Sequence, residues 1–398
     1  MEVIQKLKEN FYYVGKSDRR LALFENSIPL SNGVSYNSYL YTGSKNILVD
    51  TADIDVLTGY LENVKAVLNG GQIDYIIVQH MEPDHSSSLQ VLATCYPEAK
   101  IICTMMAKKM IGQFCSTDFS KRIIVVKDKE SMQLGDQEFT FYTAPNVHWP
   151  EVMMTYNSNN CILFTADAFG SFDSLVGDVT DKNITISQAM LTEYRRYYTN
   201  IVGKYGKNVQ NIFNKISDLR VKMVCPLHSR VLVDNIEYMV EKYNYWSTYT
   251  PEDDTILMVY GSVYGNTANV CDVVASKLAE SGVSNIVMYD VSKTHVSDLL
   301  AEAFRCNKLV LASVTLNSDL FPPMKYFIDL LIDHNYQNRE IYLIENGSWN
   351  TSSGKVMEEM CSKLKNVTVS SNRISIKSSL KDSDYEQVNT FVADILKD

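Results

Sequence analysis

Among the 398 residues no two cysteines form a C-x-x-C pair, no apolar run approaches the roughly 18 residues of a membrane span, and no cluster of Lys or Arg interrupts a formal net charge of -10. Each gap excludes something. A four-thiolate iron or zinc centre needs cysteines at short spacing. The eight scattered ones (Cys95, Cys103, Cys115, Cys161, Cys225, Cys271, Cys306, Cys361) therefore read as reduced, mostly buried core residues, and any such redox centre belongs to another protein. Without a basic patch, nucleic acid and anionic membranes are poor partners. Residues Met1 to Asn10 mix charges instead of showing a signal-peptide apolar region, so the expectation is a soluble, cytoplasmic protein. A G-x-G-x-x-G dinucleotide fingerprint is also missing.

What is present suffices for well-packed cores: 45% of the residues are hydrophobic, over a length that suggests two or more domains. The polar, acidic stretch Ser247 to Thr255 separates two differently patterned regions, which places domains at 1–252 and 253–398. Before it, strand-like runs dominate, among them Val34 to Tyr41, Asn46 to Asp50, Asp74 to Gln79, Glu138 to Thr143 and Cys161 to Thr165, with a clear helix at Ile54 to Leu68 closed by Gly70 and Gly71. Many strands with a few helices imply a sandwich of two sheets, helices outside. After the linker, strands and helices alternate regularly from Thr255 to Leu396, the pattern of a doubly wound parallel sheet that binds ligands at the carboxyl ends of its strands.

The densest chemistry follows the strand Asp74 to Gln79, where His80-Met81-Glu82-Pro83-Asp84-His85 offers four metal ligands in six residues. Alternation in an extended loop puts His80, Glu82 and Asp84 on one side, Pro83 favours an extended Glu82, and a turn after Asp84 swings His85 toward a second ion. Further ligands are expected where other strands end: His148, Asp167 and His228 all stand at such positions. Four of only six histidines fall there. A lone histidine is most often a mundane surface or core residue, but that reading is weak for the whole set. In the second region, strand Thr255 to Tyr260 ends in Gly261-Ser262-Val263-Tyr264-Gly265-Asn266-Thr267 before a helix. Such a turn cradles phosphate with backbone N–H groups, and Asn266 stands where a triphosphate loop requires Lys, so a terminal monophosphate fits better.

His80-x-Glu82-x-Asp84-His85 followed by His148, Asp167 and His228 resembles the metallo-β-lactamase superfamily, and specifically its flavodiiron branch (A-type flavoproteins). Most zinc hydrolases of the superfamily carry His at the position of Glu82, and the carboxylate makes a harder ligand set that suits iron. The resemblance implies an αββα metallo-β-lactamase sandwich followed by a flavodoxin-like domain. It assigns one iron to His80, Glu82 and His148, the other to Asp84, His85 and His228, with Asp167 bridging. Three carboxylates and one bridging hydroxide would neutralise two ferrous ions. Trp149, Tyr197 and Tyr198 are candidates to support the site, Tyr197 as a catalytic residue.

The loop Ser262, Tyr264, Gly265, Asn266 and Thr267 resembles the phosphate loop of flavodoxins, whose ligand is FMN. Two later strand ends, with Thr315, Leu316 and Asn317 and with Gly347, Ser348 and Trp349, would grip its ring. The third departs from the usual pattern, which has more Gly near the Trp. The activity implied is reduction of O2 to water or NO to N2O, with electrons passing through FMN from rubredoxin or a flavin reductase, in a head-to-tail homodimer or a dimer of dimers. Many relatives carry a His where Ser31 precedes Gly33-Val34-Ser35-Tyr36-Asn37. O2 is the favoured substrate, since the fully reduced site would react with it whatever its physiological role. The competing readings are a zinc-dependent hydrolase fused to a flavodoxin-like electron carrier, separated by metal analysis, and a flavin and di-iron gas sensor without turnover, separated by kinetics.

Overall fold

The computed structural model describes residues 3–397 and divides into two compact units, Met1–Asn244 and Tyr245–Asp398. In the first unit a seven-stranded sheet runs in the order Gln5–Lys8, Phe11–Tyr13, Tyr39–Tyr41, Ile47–Val49, Tyr75–Ile77, Lys100–Cys103 and Ile123–Val125. The first four strands pair antiparallel and the rest parallel. A five-stranded sheet follows, antiparallel through Glu130–Leu134, Gln137–Thr143, Met153–Asn157 and Ile162–Phe164, with Met223–Cys225 added in parallel. One core joins the two sheets: Phe11, Tyr39, Val49, Ile77 and Ile102 from the first meet Phe139, Phe141, Met153, Phe164 and Cys225 from the second. Side chains alternate across a strand, so Leu48 and Ile76 face the opposite way and are buried all the same. That burial on both faces is why these strands read as continuous apolar runs, and it is the αββα layering expected.

Three details differ from the sequence reading. The run Val34 to Tyr41 breaks into Val34–Tyr36, which pairs with Lys16–Asp18, and Tyr39–Tyr41 in the large sheet. The break is made by Asn37, whose amide donates to the carbonyls of Pro226 and Ser229 at 2.9 and 2.7 Å, leaving the ladder to hold the segment that carries His228. The helix expected from Ile54 begins as a single 3-10 turn, Ile54–Val56, and becomes α-helical over Leu57–Leu68, ending on left-handed Asn69 and Gly70. The N-terminal strands Gln5–Lys8 and Phe11–Tyr13 are the third: the first is short and charged and the second is only three residues long, too few to show an alternation.

The second unit has a parallel sheet in the order Ile286–Asp290, Asp253–Gly261, Cys306–Leu316, Gln337–Gly347 and then Lys365–Val369 with Ile374–Lys377, the flavodoxin-like 2-1-3-4-5 order. The helix Asn266–Glu280 forms at the residues its periodicity indicates. The last strand position was not legible, because it is filled by two short segments interrupted by Ser370 to Arg373 and only one of them alternates. Five of the eight cysteines are buried, Cys95 is exposed and Cys115 and Cys161 are intermediate; all eight are free thiols. No described helix is long and apolar enough to cross a membrane.

Candidate metal centre

Each side chain of the centre stands just beyond the carboxyl end of a strand. Tyr75–Ile77 leads to His80, Gln137–Thr143 to His148, Ile162–Phe164 to Asp167, and Met223–Cys225 to His228. Between them Asp50, after Ile47–Val49, accepts hydrogen bonds from the Gln79 backbone and side-chain amides, both at 2.8 Å, and so fixes the strand end that presents His80. The loop does not stay extended through Asp84 as expected. Glu82 is extended (φ -58, ψ 138), but a short helix, Pro83–Ser86, begins at once with Pro83 in its first position. Proline bars a helix from continuing into it yet is well suited to start one. The turn therefore comes two residues earlier, and it parts Glu82 from Asp84 and His85.

The result is two groups. His80, Glu82, His148 and Asp167 bring one ligand atom each within 4.8 Å of one another, and Asp84, His85 and His228 do the same. Glu82 Oε2 lies 3.1 Å from His80 Nε2 and 3.0 Å from His148 Nε2. Asp167 Oδ2 is 3.1 Å from His148 Nε2 and 3.3 Å from His80 Nε2, while its Oδ1 is 3.2 Å from His85 Nε2. Asp84 Oδ2 is 3.2 Å from both His85 Nε2 and His228 Nε2, and those two nitrogens are 3.0 Å apart. All seven ligands are thus aimed inward, with Asp167 turning one oxygen to each group.

Two of the imidazoles are fixed in the tautomer that leaves Nε2 bare. His80 Nδ1 donates to Glu151 Oε1 at 2.8 Å, and the same oxygen accepts the Met81 N–H at 2.8 Å. His228 Nδ1 donates to the Ser35 carbonyl at 2.7 Å. Such a bond on one ring nitrogen sets the lone pair of the other toward the centre. Glu151, only 1% exposed, was missed in the sequence, where its signal is no more than an acid two residues after Trp149.

Electrostatics favour cations here. Burial alone would lower the His85 and His148 pKa values. Asp84 and Asp167 push His85 up to about 10 instead, and hydrogen bonds to Asp167 and Glu82 push His148 up to about 9. Glu82, which burial would raise, is lowered to about 2 by its bonds to His148 and His80. The fit to metal is geometric as well. Ligands held about 2.1 Å from one ion at right angles stand about 3.0 Å apart, the spacing of the short contacts here. Two imidazole nitrogens at 3.0 Å and a buried Asp84 Oδ1 without a hydrogen-bond partner are what such a ligand set looks like.

Tyr197 packs its ring 5.4 Å from that of His228, and its buried hydroxyl has no partner among the described residues. Burial and the nearby Asp167, Asp84 and Glu82 hold that hydroxyl well above the usual tyrosine range, so it keeps its proton. Gly170 makes room for the ring: a Cβ there would stand 2.7 Å from Tyr197 Cε1. Tyr198 opens a π-helical turn, Tyr198–Val202, and packs against Tyr243 instead. Trp149 stands edge-on to His80 at 5.4 Å.

In the second unit a cavity of about 260 Å³ is lined by residues of all three expected loops: Ser262, Tyr264, Asn266 and Thr267, then Thr315, Leu316 and Asn317, then Gly347, Ser348 and Trp349. Gly265 does not line it; with φ 86 it caps the helix behind the first loop, its N–H donating to Ser262 Oγ at 3.1 Å. Ser378, remote in sequence, joins the lining. Tyr264 and Trp349 are 92% and 90% exposed, unusual for large aromatics and typical of a ligand rim. The Thr315 hydroxyl accepts the Ser352 and Ser353 N–H groups, both at 3.1 Å, and so ties the second loop to the third.

This is a metallo-β-lactamase sandwich whose strand ends gather two groups of candidate metal ligands, and residues 34–229 match the model of the ODP family beta lactamases. The chain is similar to the anaerobic nitric oxide reductase flavorubredoxin of Escherichia coli O1:K1, 28% identical over 367 residues, covering 90% of this chain and 74% of that protein. Its fold is that of the rubredoxin oxygen:oxidoreductase of Desulfovibrio gigas (TM-score 0.92, 23% identity, 99% of this chain and 98% of the other). The flavodiiron protein of Giardia intestinalis has it too (TM-score 0.89, 19% identity, 99% and 96% covered). The chain thus resembles the ODP family beta lactamases over residues 34–229 and shares its overall fold with flavodiiron proteins.

Proposed function

We propose that this protein is a flavodiiron oxidoreductase that reduces O2 to water or NO to N2O with electrons from a separate redox protein. The observation that carries the reading is Asp167, whose Oδ2 lies 3.1 Å from His148 Nε2 while its Oδ1 lies 3.2 Å from His85 Nε2, one carboxylate serving two cation positions. Glu82 in the first position favours iron over zinc, being a hard oxygen ligand. Two irons fit the residues present, one at His80, Glu82 and His148, the other at Asp84, His85 and His228, with Asp167 shared. FMN fits the second unit, its phosphate at the turn Gly261 to Thr267 and its ring between the loops of Asn317 and Trp349. The chemistry these groups supply when bound is electron storage at the flavin and electron delivery to a small gas at the irons.

The chain's own part is positioning. Glu151 and the Ser35 carbonyl hold two imidazoles with Nε2 inward. The Tyr197 hydroxyl, kept protonated, is a donor beside the centre. Of the two gases O2 is proposed as preferred, with rubredoxin or a flavin reductase as donor and a head-to-tail homodimer, or a dimer of such dimers, as the working assembly. The name of the Escherichia coli relative points to NO and that of the Desulfovibrio gigas protein to O2. The test is anaerobic preparation, metal and flavin analysis, reduction, and separate exposure to O2 and NO with rates measured. Two irons and one FMN per chain with consumption of a gas are expected. Zinc in their place with hydrolytic activity would sink the reading, and NO consumption far above that of O2 would sink the preference. Asp167→Ala should lose the iron pair and keep the flavin; normal iron occupancy would remove its bridging role.

A further inference from the structure

The cavity of the second unit has a fourth wall besides its three loops, and the interrupted last strand position supplies it. Ile374–Lys377 pairs in parallel with Gln337–Gly347, Lys377 standing opposite Gly347, so both strands end together at the carboxyl edge of the sheet, where such folds bind ligands. The next residue, Ser378, is left-handed (φ 69) and lines the cavity. A side chain is costly in that conformation, which glycine adopts freely and asparagine tolerates. A serine kept there is a candidate for function.

The turn lays Ser378 along the third loop with three hydrogen bonds. Its N–H donates to the Gly347 carbonyl at 3.1 Å, its carbonyl accepts from the Asn346 side-chain amide at 2.9 Å, and its hydroxyl donates to Ser348 Oγ at 3.1 Å. The first two tie the loop to the end of the sheet. The third acts on a neighbour: with the Ser378 proton on its oxygen, the Ser348 hydroxyl keeps its own proton to donate elsewhere. Ser348 lines the same cavity, and no Lys, Arg, His, Asp or Glu is among the described residues that do. A polar ligand edge in it therefore meets only neutral groups, and the aim of one hydroxyl counts.

We infer that Ser378 is a positioning residue for the flavin: it fixes the loop Gly347 to Trp349 and leaves the Ser348 hydroxyl free to donate to the polar edge of the isoalloxazine ring. The inference rests on the FMN part of the proposed function. It adds the end of the last strand to the three loops that hold the ligand, and it assigns Ser378 to the ring, not to the phosphate.

The test uses the full-length, iron-loaded chain freed of flavin, titrated with FMN and separately with riboflavin, which carries the ring without the phosphate, and followed by flavin fluorescence. Ser378→Ala removes the hydroxyl and keeps the backbone cost, whereas Ser378→Gly removes the hydroxyl and suits φ 69. Each should weaken FMN and riboflavin by the same factor, about fivefold for one hydrogen bond. Each should also move the visible absorption bands of the bound flavin, which respond to hydrogen bonds at the ring. Unchanged affinity overturns the inference. So does a loss confined to FMN, which places Ser378 at the phosphate, or a parent-like Ser378→Gly, which assigns the effect to the backbone. Bands that stay in place overturn it too, since they leave Ser378 only a structural tie. Iron content is measured on both variants and should match the parent; if Ser378→Ala does not fold, Ser378→Gly decides alone. A parent that binds neither flavin defeats the FMN reading, whereas a flavin-binding parent with indifferent variants defeats only this inference.

Discussion

Replacing Glu151 by Gln perturbs the metal centre without touching a ligand. Glu151 Oε1 accepts from both His80 Nδ1 and the Met81 N–H at 2.8 Å in a nearly waterless site. In the amide the acceptor survives but its charge does not. A hydrogen bond to a charged group contributes about 1.5–3 kcal/mol and a neutral one about 0.5–1.5, so each bond loses about 1 kcal/mol. The loss at His80 falls on ligand basicity and the loss at Met81 on folding. About 1 to 1.5 kcal/mol taken from one ligand weakens iron roughly tenfold, the lower end of the 10–100-fold typical of groups behind a ligand. Glu151 Oε2 is buried without a hydrogen-bond partner, so the new N–H2 group is left unsatisfied and costs about 1 kcal/mol more in stability. The assay is an anaerobic titration of apoprotein with ferrous iron against a competing chelator, beside a denaturant melt. A roughly tenfold loss at the position of His80, Glu82 and His148, with less than threefold change at the other, is expected. Equal affinity at both positions in mutant and parent, or equal loss at both, would refute the reasoning.

Three further outcomes follow from the same structure. With His85 at about 10 and His148 at about 9, the metal-free centre holds protons at pH 7 that iron must displace. Loading should acidify a weakly buffered solution, and apparent affinity should climb from pH 7 toward 10; proton-neutral, pH-independent binding would contradict this. For the apoprotein the sign is opposite: both folded pKa values lie above 6.5, so the stability these histidines contribute is complete below pH 6.5 and is lost as pH rises through about 9 to 10. In the second unit Gly347→Ala should lower FMN affinity by at least tenfold while iron content stays normal, because its Cβ would stand 1.8 Å from the Asn350 carbonyl oxygen and force the third loop open. Fluorescence titration with FMN measures it, and unchanged affinity would remove that loop from the site.

Much of the architecture was legible. The helix Asn266–Glu280 and the parallel strands around it announce themselves by apolar spacing, because each is stabilised on a face that its own period defines. The fifth strand position was not, since Lys365–Val369 is half polar and takes its place only by pairing with Gln337–Gly347. Pro83 was ambiguous for a different reason: the same fixed φ that ends one helix begins another, and the choice is made by where His85 and Asp84 must point.

The seven candidate ligands were legible as residue types at strand ends: four of the six histidines stand where strands stop, and Glu82 is the reason iron was expected there. Which oxygen of Asp167 faces which group, that Glu151 stands behind His80 71 residues away, and that the Ser35 carbonyl holds His228 across 193 residues were decided only in three dimensions. The reason is range. Ligand chemistry and periodicity are carried by neighbouring residues, whereas the tautomer of an imidazole depends on partners that only the closed sandwich brings within 3 Å.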